Sequence, residues 1–130
     1  MIAYIETSAA AKLVLAEPET EALKEYLDQL DTDDGGLYSG LLLETELRRA
    51  AVRRGAPQEK VTDVLEWFDL VDLDPTIYRE AGLMPGTNLR SLDALHVVVA
   101  LRVGADVFIS YDTSQAKAAS AAGLRTVSPN

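Results

Sequence analysis

Residues 91–112, SLDALHVVVALRVGADVFISYD, decide the fold. From Leu92 to Val103 nearly every direction around the helical turn is apolar, the pattern of a helix buried inside a fold rather than laid on its surface. Ser91 is placed to cap this helix and Gly104 to end it. The run Val107–Ser110 then reads as a short buried strand, and Asp112 or Thr113 as the cap of an Ala-rich helix reaching Ala122. Helix, buried strand and helix in succession is the unit from which parallel α/β sheets are built.

The same alternation extends outward in both directions. Gly123 closes the last helix before a strand over Leu124–Val127. At the other end, Ile2–Ile5 reads as a buried strand, with Thr7 or Ser8 capping a helix to Ala16 and Pro18 restarting the chain. The next helix, Glu19–Leu30, is amphipathic, with Ala22, Leu23, Tyr26, Leu27 and Leu30 on one face. Asp28 to Gly36 is the most polar stretch and reads as a loop. A short strand over Gly36–Ser39 leads to a helix over Leu41–Arg54 stopped by Gly55, and Pro57 opens another to about Phe68. Leu70–Leu73 is a strand candidate, and the helix opened by Pro75 fades toward Met84-Pro85-Gly86. Hairpin signals between strands are absent, so the expected architecture is a three-layer α/β/α sandwich with a mainly parallel central sheet, one domain over residues 1–130.

Composition narrows the chemistry. With 130 residues, 48% hydrophobic and 25% charged, the chain suits one globular core and excludes a disordered or collagen-like polymer. It has no cysteine and one histidine, His96, which excludes thiolate zinc sites, cysteine nucleophiles and any two-histidine metal site. Twenty-one acidic against 12 basic residues give a net charge of −9, opposite to a broad nucleic-acid-binding face, so any polyanion must find a local patch. Glu6 and Lys12 interrupt the apolar N-terminal stretch and no basic leader precedes it; neither a signal peptide nor a membrane span is expected, and the cytoplasm is the expected compartment.

Ligands of open α/β sheets collect at the carboxyl ends of strands. Glu6 and Asp112 follow two predicted strands directly, Glu46 lies at the edge of its helix's apolar face, and Asp93 is the only ionisable group in Leu92–Leu95. Each also has a structural explanation. Glu6 can cap the helix it precedes, Glu46 can pair with Arg49 or Arg53, Asp93 sits where a helix dipole favours an anion, and Asp112 with Gln115 can form a capping pair. Thr7, Ser8 and Ser39 either support such a site or merely cap. His96, on an apolar face, reads as a packed core residue, and Trp67 and Phe68 as core or dimer contact.

The ordered set carries more than its members. YIETSAAAKLVLAEPE, LLLETELRRA, LRSLDALHVVVAL and FISYDTSQAKAASAAGLRTVSP, in this order and across nearly the whole chain, resemble the PIN-domain nucleases, specifically the VapC-type toxins of bacterial toxin–antitoxin pairs. The family pattern is an acid after the first strand, a glutamate before Leu-Arg, an aspartate inside LDALH and a YD after a late strand. The resemblance implies a PIN-like fold and a metal-dependent endoribonuclease in which Glu6, Glu46, Asp93 and Asp112 bind Mg2+ or Mn2+. It further implies products with a 5′-phosphate and a 3′-hydroxyl, a structured RNA substrate such as transfer RNA, a homodimer, and a VapB-type antitoxin whose arginine enters the acidic pocket. Carboxylates about 4 Å apart repel by roughly 4 kcal/mol at an effective dielectric of about 20, so four gathered together require a cation, a proton or an arginine.

Glu6 departs from the family pattern, which has aspartate there. Its extra methylene moves the carboxylate by roughly an ångström, a displacement worth on the order of 100-fold in rate. A PIN-like module that binds RNA or antitoxin without cleaving is therefore the alternative reading. A phosphoacceptor receiver domain fits less well, because Glu6 stands alone after its strand and Lys117 lies inside a predicted helix. RNA affinity would come from Arg48, Arg49, Arg53, Arg54 and Lys60, with Arg90 beside the site; the competing reading is a solvated face in which Glu44 and Arg48 form an ordinary i,i+4 pair.

Overall fold

Side-chain alternation in the two innermost strands divides the interior into two cores. In β1 (Ile2–Ile5), Ala3 and Ile5 enter one core, where Val107 and Ile109 of β4 (Val107–Ile109) join them, while Tyr4 and Phe108 enter the other. Both strands are buried on both faces, as parallel strands covered by helices must be. The computed structural model describes residues 1–30 and 33–130, so residues 31 and 32 of the expected Asp28–Gly36 loop lie outside the described residues.

The remaining elements are α1 (Thr7–Val14), α2 (Thr20–Gln29), β2 (Gly36–Gly40), α3 (Leu42–Arg54), α4 (Gln58–Leu65), β3 (Asp69–Val71), α5 (Pro75–Gly82), α6 (Ser91–Arg102), α7 (Thr113–Ala121) and β5 (Thr126–Val127). The five strands form one sheet in the order β3-β2-β1-β4-β5, and every neighbouring pair is parallel. Residues of α1 to α4 build the first core and residues of α5 to α7 the second, which completes the three layers. Successive strands run outward from β1 in one direction and then, from β4, in the other. The β1/β4 boundary is thus the topological switch point, where a crevice opens at the carboxyl ends of the strands.

Several expected boundaries move, each for a local reason. The cap of α1 is Glu6, not Thr7 or Ser8: its carboxylate accepts the Ala9 N–H at 3.2 Å, while the Thr7 hydroxyl is directed to Glu46. Ser91 is the first residue of α6 and not its cap; that position is held by Arg90, which makes no side-chain capping bond. In α6 the stretch Ala94–Ala100 is buried, but Leu92 and Leu101 at its ends are exposed. α4 stops at Leu65, leaving Phe68 in the first core and Trp67 half exposed. The last strand shortens to Thr126–Val127. Among the described residues no helix is long and apolar enough to cross a membrane.

Candidate active site

Chain direction gathers the four acids. β1 and β4 are parallel neighbours, so the residues that leave their carboxyl ends, Glu6 and Asp112, emerge side by side, and the Glu6 N–H bonds the Ile109 carbonyl at 3.2 Å. α6 connects back to the start of β4, which puts its N-terminal turn, with Asp93, at that same edge. α3 begins just after β2 and carries Glu46 in its second turn.

Asp112 caps α7 by accepting the Gln115 N–H at 3.0 Å, and the Gln115 side-chain amide donates to the Asp93 carbonyl at 3.2 Å. Gln115 is wholly buried and thereby straps the two helix N-termini together. Burial pushes the Asp93 carboxyl above its ordinary value; the negative charges of Asp112 and Glu46 push the same way, against Arg90 and His96. Asp93 therefore feels the charges of both Asp112 and Glu46.

Glu6 is 3% exposed and held by neutral donors. Ser8 accepts the Tyr111 N–H at 2.8 Å, and its own hydroxyl donates a hydrogen bond to the Glu6 carboxylate. Burial pushes this carboxyl up, opposed by the hydroxyls of Ser8 and Ser110 and by His96.

Glu46 does not pair with Arg49 or Arg53. Its Oε1 accepts the Thr7 hydroxyl at 2.7 Å and the His96 Nε2–H at 2.7 Å. Burial works to raise the Glu46 carboxyl, but the hydrogen bond and charge of His96, with Thr7, outweigh it and hold it below its ordinary value. His96 is buried as expected, yet it is a polar hub rather than an apolar packing residue. Its Nδ1 lies 2.6 Å from the Tyr4 hydroxyl, whose oxygen also accepts the Gly40 N–H at 2.9 Å. A carboxylate oxygen only accepts, so the ring presents Nε2–H to Glu46, and in the neutral imidazole Nδ1 is then the acceptor of the Tyr4 hydroxyl. Tyr4 is itself fixed by stacking on Phe108, with centroids 5.5 Å apart and planes at 5°, and by an edge contact to the imidazole at 5.8 Å. Gly40 permits this approach, since a Cβ there would meet Leu42 Cδ2 at 2.6 Å and the Tyr4 hydroxyl at 3.1 Å.

The arginines divide by helix face. Positions 46, 49 and 53 share a stripe of α3, whereas 48 lies across the axis. Arg48 pairs with Glu44 at 3.0 Å and donates to Gln58 and Thr62, tying α3 to α4 as the structural reading anticipates. Arg49, Arg53 and Arg90 are exposed, and Arg54 lies 3.9 Å from Glu17. Tyr4 is the supporting residue that the sequence reading missed, and a phenol in the otherwise apolar strand IAYI is the one available signal for it; Gln115 is expected as the capping partner of Asp112, but its side-chain bond to Asp93 is not.

The donor set is all hard carboxylate oxygen, which suits a small divalent cation, and none of the four acids forms an ion pair with lysine or arginine among the described residues. In this arrangement no three His, Cys, Asp or Glu side chains among the described residues converge closely enough to hold a metal ion. Glu6 is turned into its helix cap and Glu46 toward His96. Among the described residues the Asp93 carboxylate accepts no hydrogen bond, and Asp112 and Glu46 each keep one carboxylate oxygen without a protein donor.

A wholly parallel sheet covered by helices on both faces, with acids from four separate segments near its switch point, defines the class: an α/β protein with a candidate site at the carboxyl ends of its strands. The PIN domain family pattern matches residues 3–121, and the chain belongs to that family. Within it, the chain is of the VapC type. Ribonuclease VapC35 of Mycobacterium tuberculosis is 36% identical over 132 residues, covering 97% of this chain and 96% of its own. Ribonuclease VapC46 of the same organism is 32% identical over 130 residues, covering 98% and 97%. Among solved structures, M. tuberculosis VapC20, a Sarcin-Ricin loop cleaving toxin, superposes with a TM-score of 0.76 at 15% identity over 98% of this chain and 99% of that one. VapBC2 from Rickettsia felis, solved bound to a DNA fragment from its promoter, gives 0.72 at 14% over the whole of both chains. At those identities the superpositions speak for the fold.

Proposed function

We propose that this chain is a metal-dependent endoribonuclease toxin that hydrolyses RNA phosphodiester bonds at the acidic edge of its sheet. The observation that carries the reading is the placement of Asp93 within electrostatic reach of both Asp112 and Glu46 at the β1/β4 switch point, with no lysine or arginine bonded to any of the three among the described residues. The ribonuclease names of its VapC relatives supply the reaction class. Mg2+ or Mn2+, when bound, would supply Lewis acidity and lower the pKa of an attacking water. Glu46, Asp93 and Asp112 would hold the cation, with Glu6 behind them. Arg49 and Arg53, on the Glu46 stripe of α3, and Arg90 beside Asp93 would grip the phosphates, while Arg48 would contribute less because its guanidinium is already engaged. A structured RNA such as transfer RNA is the proposed substrate, in the cytoplasm. A VapB-type antitoxin is the proposed inhibitor, by analogy with neighbours solved as toxin–antitoxin pairs, and the active unit is proposed to be a homodimer.

Purified chain with manganese should cut RNA, and Asp93→Asn should abolish the cutting; equal cleavage by the two proteins defeats the assignment. The burial of Glu6 in its helix cap favours a second reading, a binding module of low activity. Glu6→Asp separates the two. A gain on the order of 100-fold marks an impaired enzyme. No gain from a wild type that does not cleave marks a binder.

A further inference from the structure

We infer that His96, held by the Tyr4 hydroxyl, is a positioning residue that sets the orientation of the Glu46 carboxylate for cation binding. The inference rests on the metal-site reading above. A hydrogen-bonded chain runs from the Gly40 N–H to the Tyr4 oxygen, from the Tyr4 hydroxyl to His96 Nδ1, and from His96 Nε2–H to Glu46 Oε1, with links of 2.9, 2.6 and 2.7 Å. It crosses three elements, β2, β1 and α6, before reaching α3. Each link is inflexible for a separate reason: Gly40 is backbone, Tyr4 is wholly buried and stacked on Phe108, and His96 is 1% exposed. Thr7 donates to the same Oε1, which leaves the second carboxylate oxygen of Glu46 with no protein donor among the described residues and so available to a cation. A core imidazole kept only for packing would satisfy its two nitrogens anywhere. This one takes its acceptor from a stacked phenol and gives its donor to an acid of the cluster. Groups that fix a ligating side chain in this way typically affect metal affinity by about 10–100-fold when removed.

Manganese binding to the full chain, read from the loss of the free-ion paramagnetic resonance signal, tests this without requiring an RNA target. The variants are Tyr4→Phe, His96→Leu and His96→Gln, each checked for folding by circular dichroism and thermal melting. Tyr4→Phe keeps the ring and the stacking and removes one oxygen, so it decides the matter even if His96→Leu fails to fold. The expected result is binding weakened about tenfold or more in Tyr4→Phe and His96→Leu, with His96→Gln, whose amide retains an N–H for Glu46, within about threefold of wild type. Folded Tyr4→Phe with wild-type manganese affinity overturns the inference, including the case where its melting temperature falls, because a purely structural role moves stability alone. A wild-type chain that binds no manganese overturns the metal-site reading and this inference with it. That failure is recognisable because it appears before any variant is compared.

Discussion

The Glu6 carboxyl is subject to opposing forces. At the N-terminus of α1 its ionised form is favoured by the helix dipole and by the Ala9 N–H, yet near-complete burial penalises that charge, and the net effect is a pKa above the ordinary value of 4.5. The folded chain then binds this proton at higher pH than the unfolded chain does, so stability rises as pH falls from the raised value toward 4.5. Glu46 behaves in the opposite way. Its folded value is lowered, so its contribution is full above 4.5 and is lost as pH falls through the lowered value. The metal-free protein should therefore reach its highest urea midpoint under mildly acidic conditions. Glu6→Gln should flatten the rise from neutral pH, leaving only the share that Asp93 contributes, and keep the fall below; an unchanged profile contradicts the burial argument. The four candidate acids are picked out by residue order, because each sits in a short string that resembles the family pattern. The role of His96 is not, since LDALHVVVAL shows an imidazole on an apolar face and hides the Tyr4 hydroxyl 92 positions away in sequence.

At the level of elements, α3 separates arginines engaged within the fold from exposed ones. Arg48 bonds Glu44, Gln58 and Thr62 and lies across the axis from Glu46, whereas Arg49 and Arg53 are exposed on the Glu46 stripe. Replacing Arg49 or Arg53 with alanine should weaken RNA binding and reduce the log–log salt slope by about one in each case. Arg48→Ala should leave that slope nearly unchanged and lower stability by roughly 0.5–1 kcal/mol, the scale of a part-exposed ion pair. Binding titrations at several salt concentrations distinguish these outcomes, and equal slopes for all three variants would remove α3 from the RNA face. Element order and type were largely legible, because apolar strand runs and Gly or Pro punctuation mark the units directly. Helix starts were less so. Capping depends on where a side chain is drawn by the rest of the fold, and Thr7 is drawn to Glu46 while Glu6 takes its place.

Across the whole molecule, the sheet order brings acids from residues 6, 46, 93 and 112 to one edge of a chain whose net charge is already −9. Alternation of strands and helices implies a parallel sheet, but the order β3-β2-β1-β4-β5 depends on which strands pair, and pairing is a long-range choice that local patterns do not encode. The position of the switch point, and with it the crevice, follows from that choice. The charges of Asp112 and Glu46 oppose ionisation of Asp93 in the metal-free fold, and a cation that binds the folded chain there and not the unfolded one would stabilise it. At a concentration about 100 times its dissociation constant the gain is about 2.7 kcal/mol, which for a chain of this size raises the melting temperature on the order of 10 °C. Asp93→Asn and Asp112→Asn remove both the repulsion between this pair and a proposed ligand. Each should therefore melt higher than wild type without metal and respond much less when manganese is added. Asp112→Asn retains an oxygen for the Gln115 N–H, so loss of the helix cap does not obscure the comparison. Calorimetric melting of the three proteins with chelator and with manganese measures both effects, and an equal metal-induced shift in all three would place the cation elsewhere on this acidic surface.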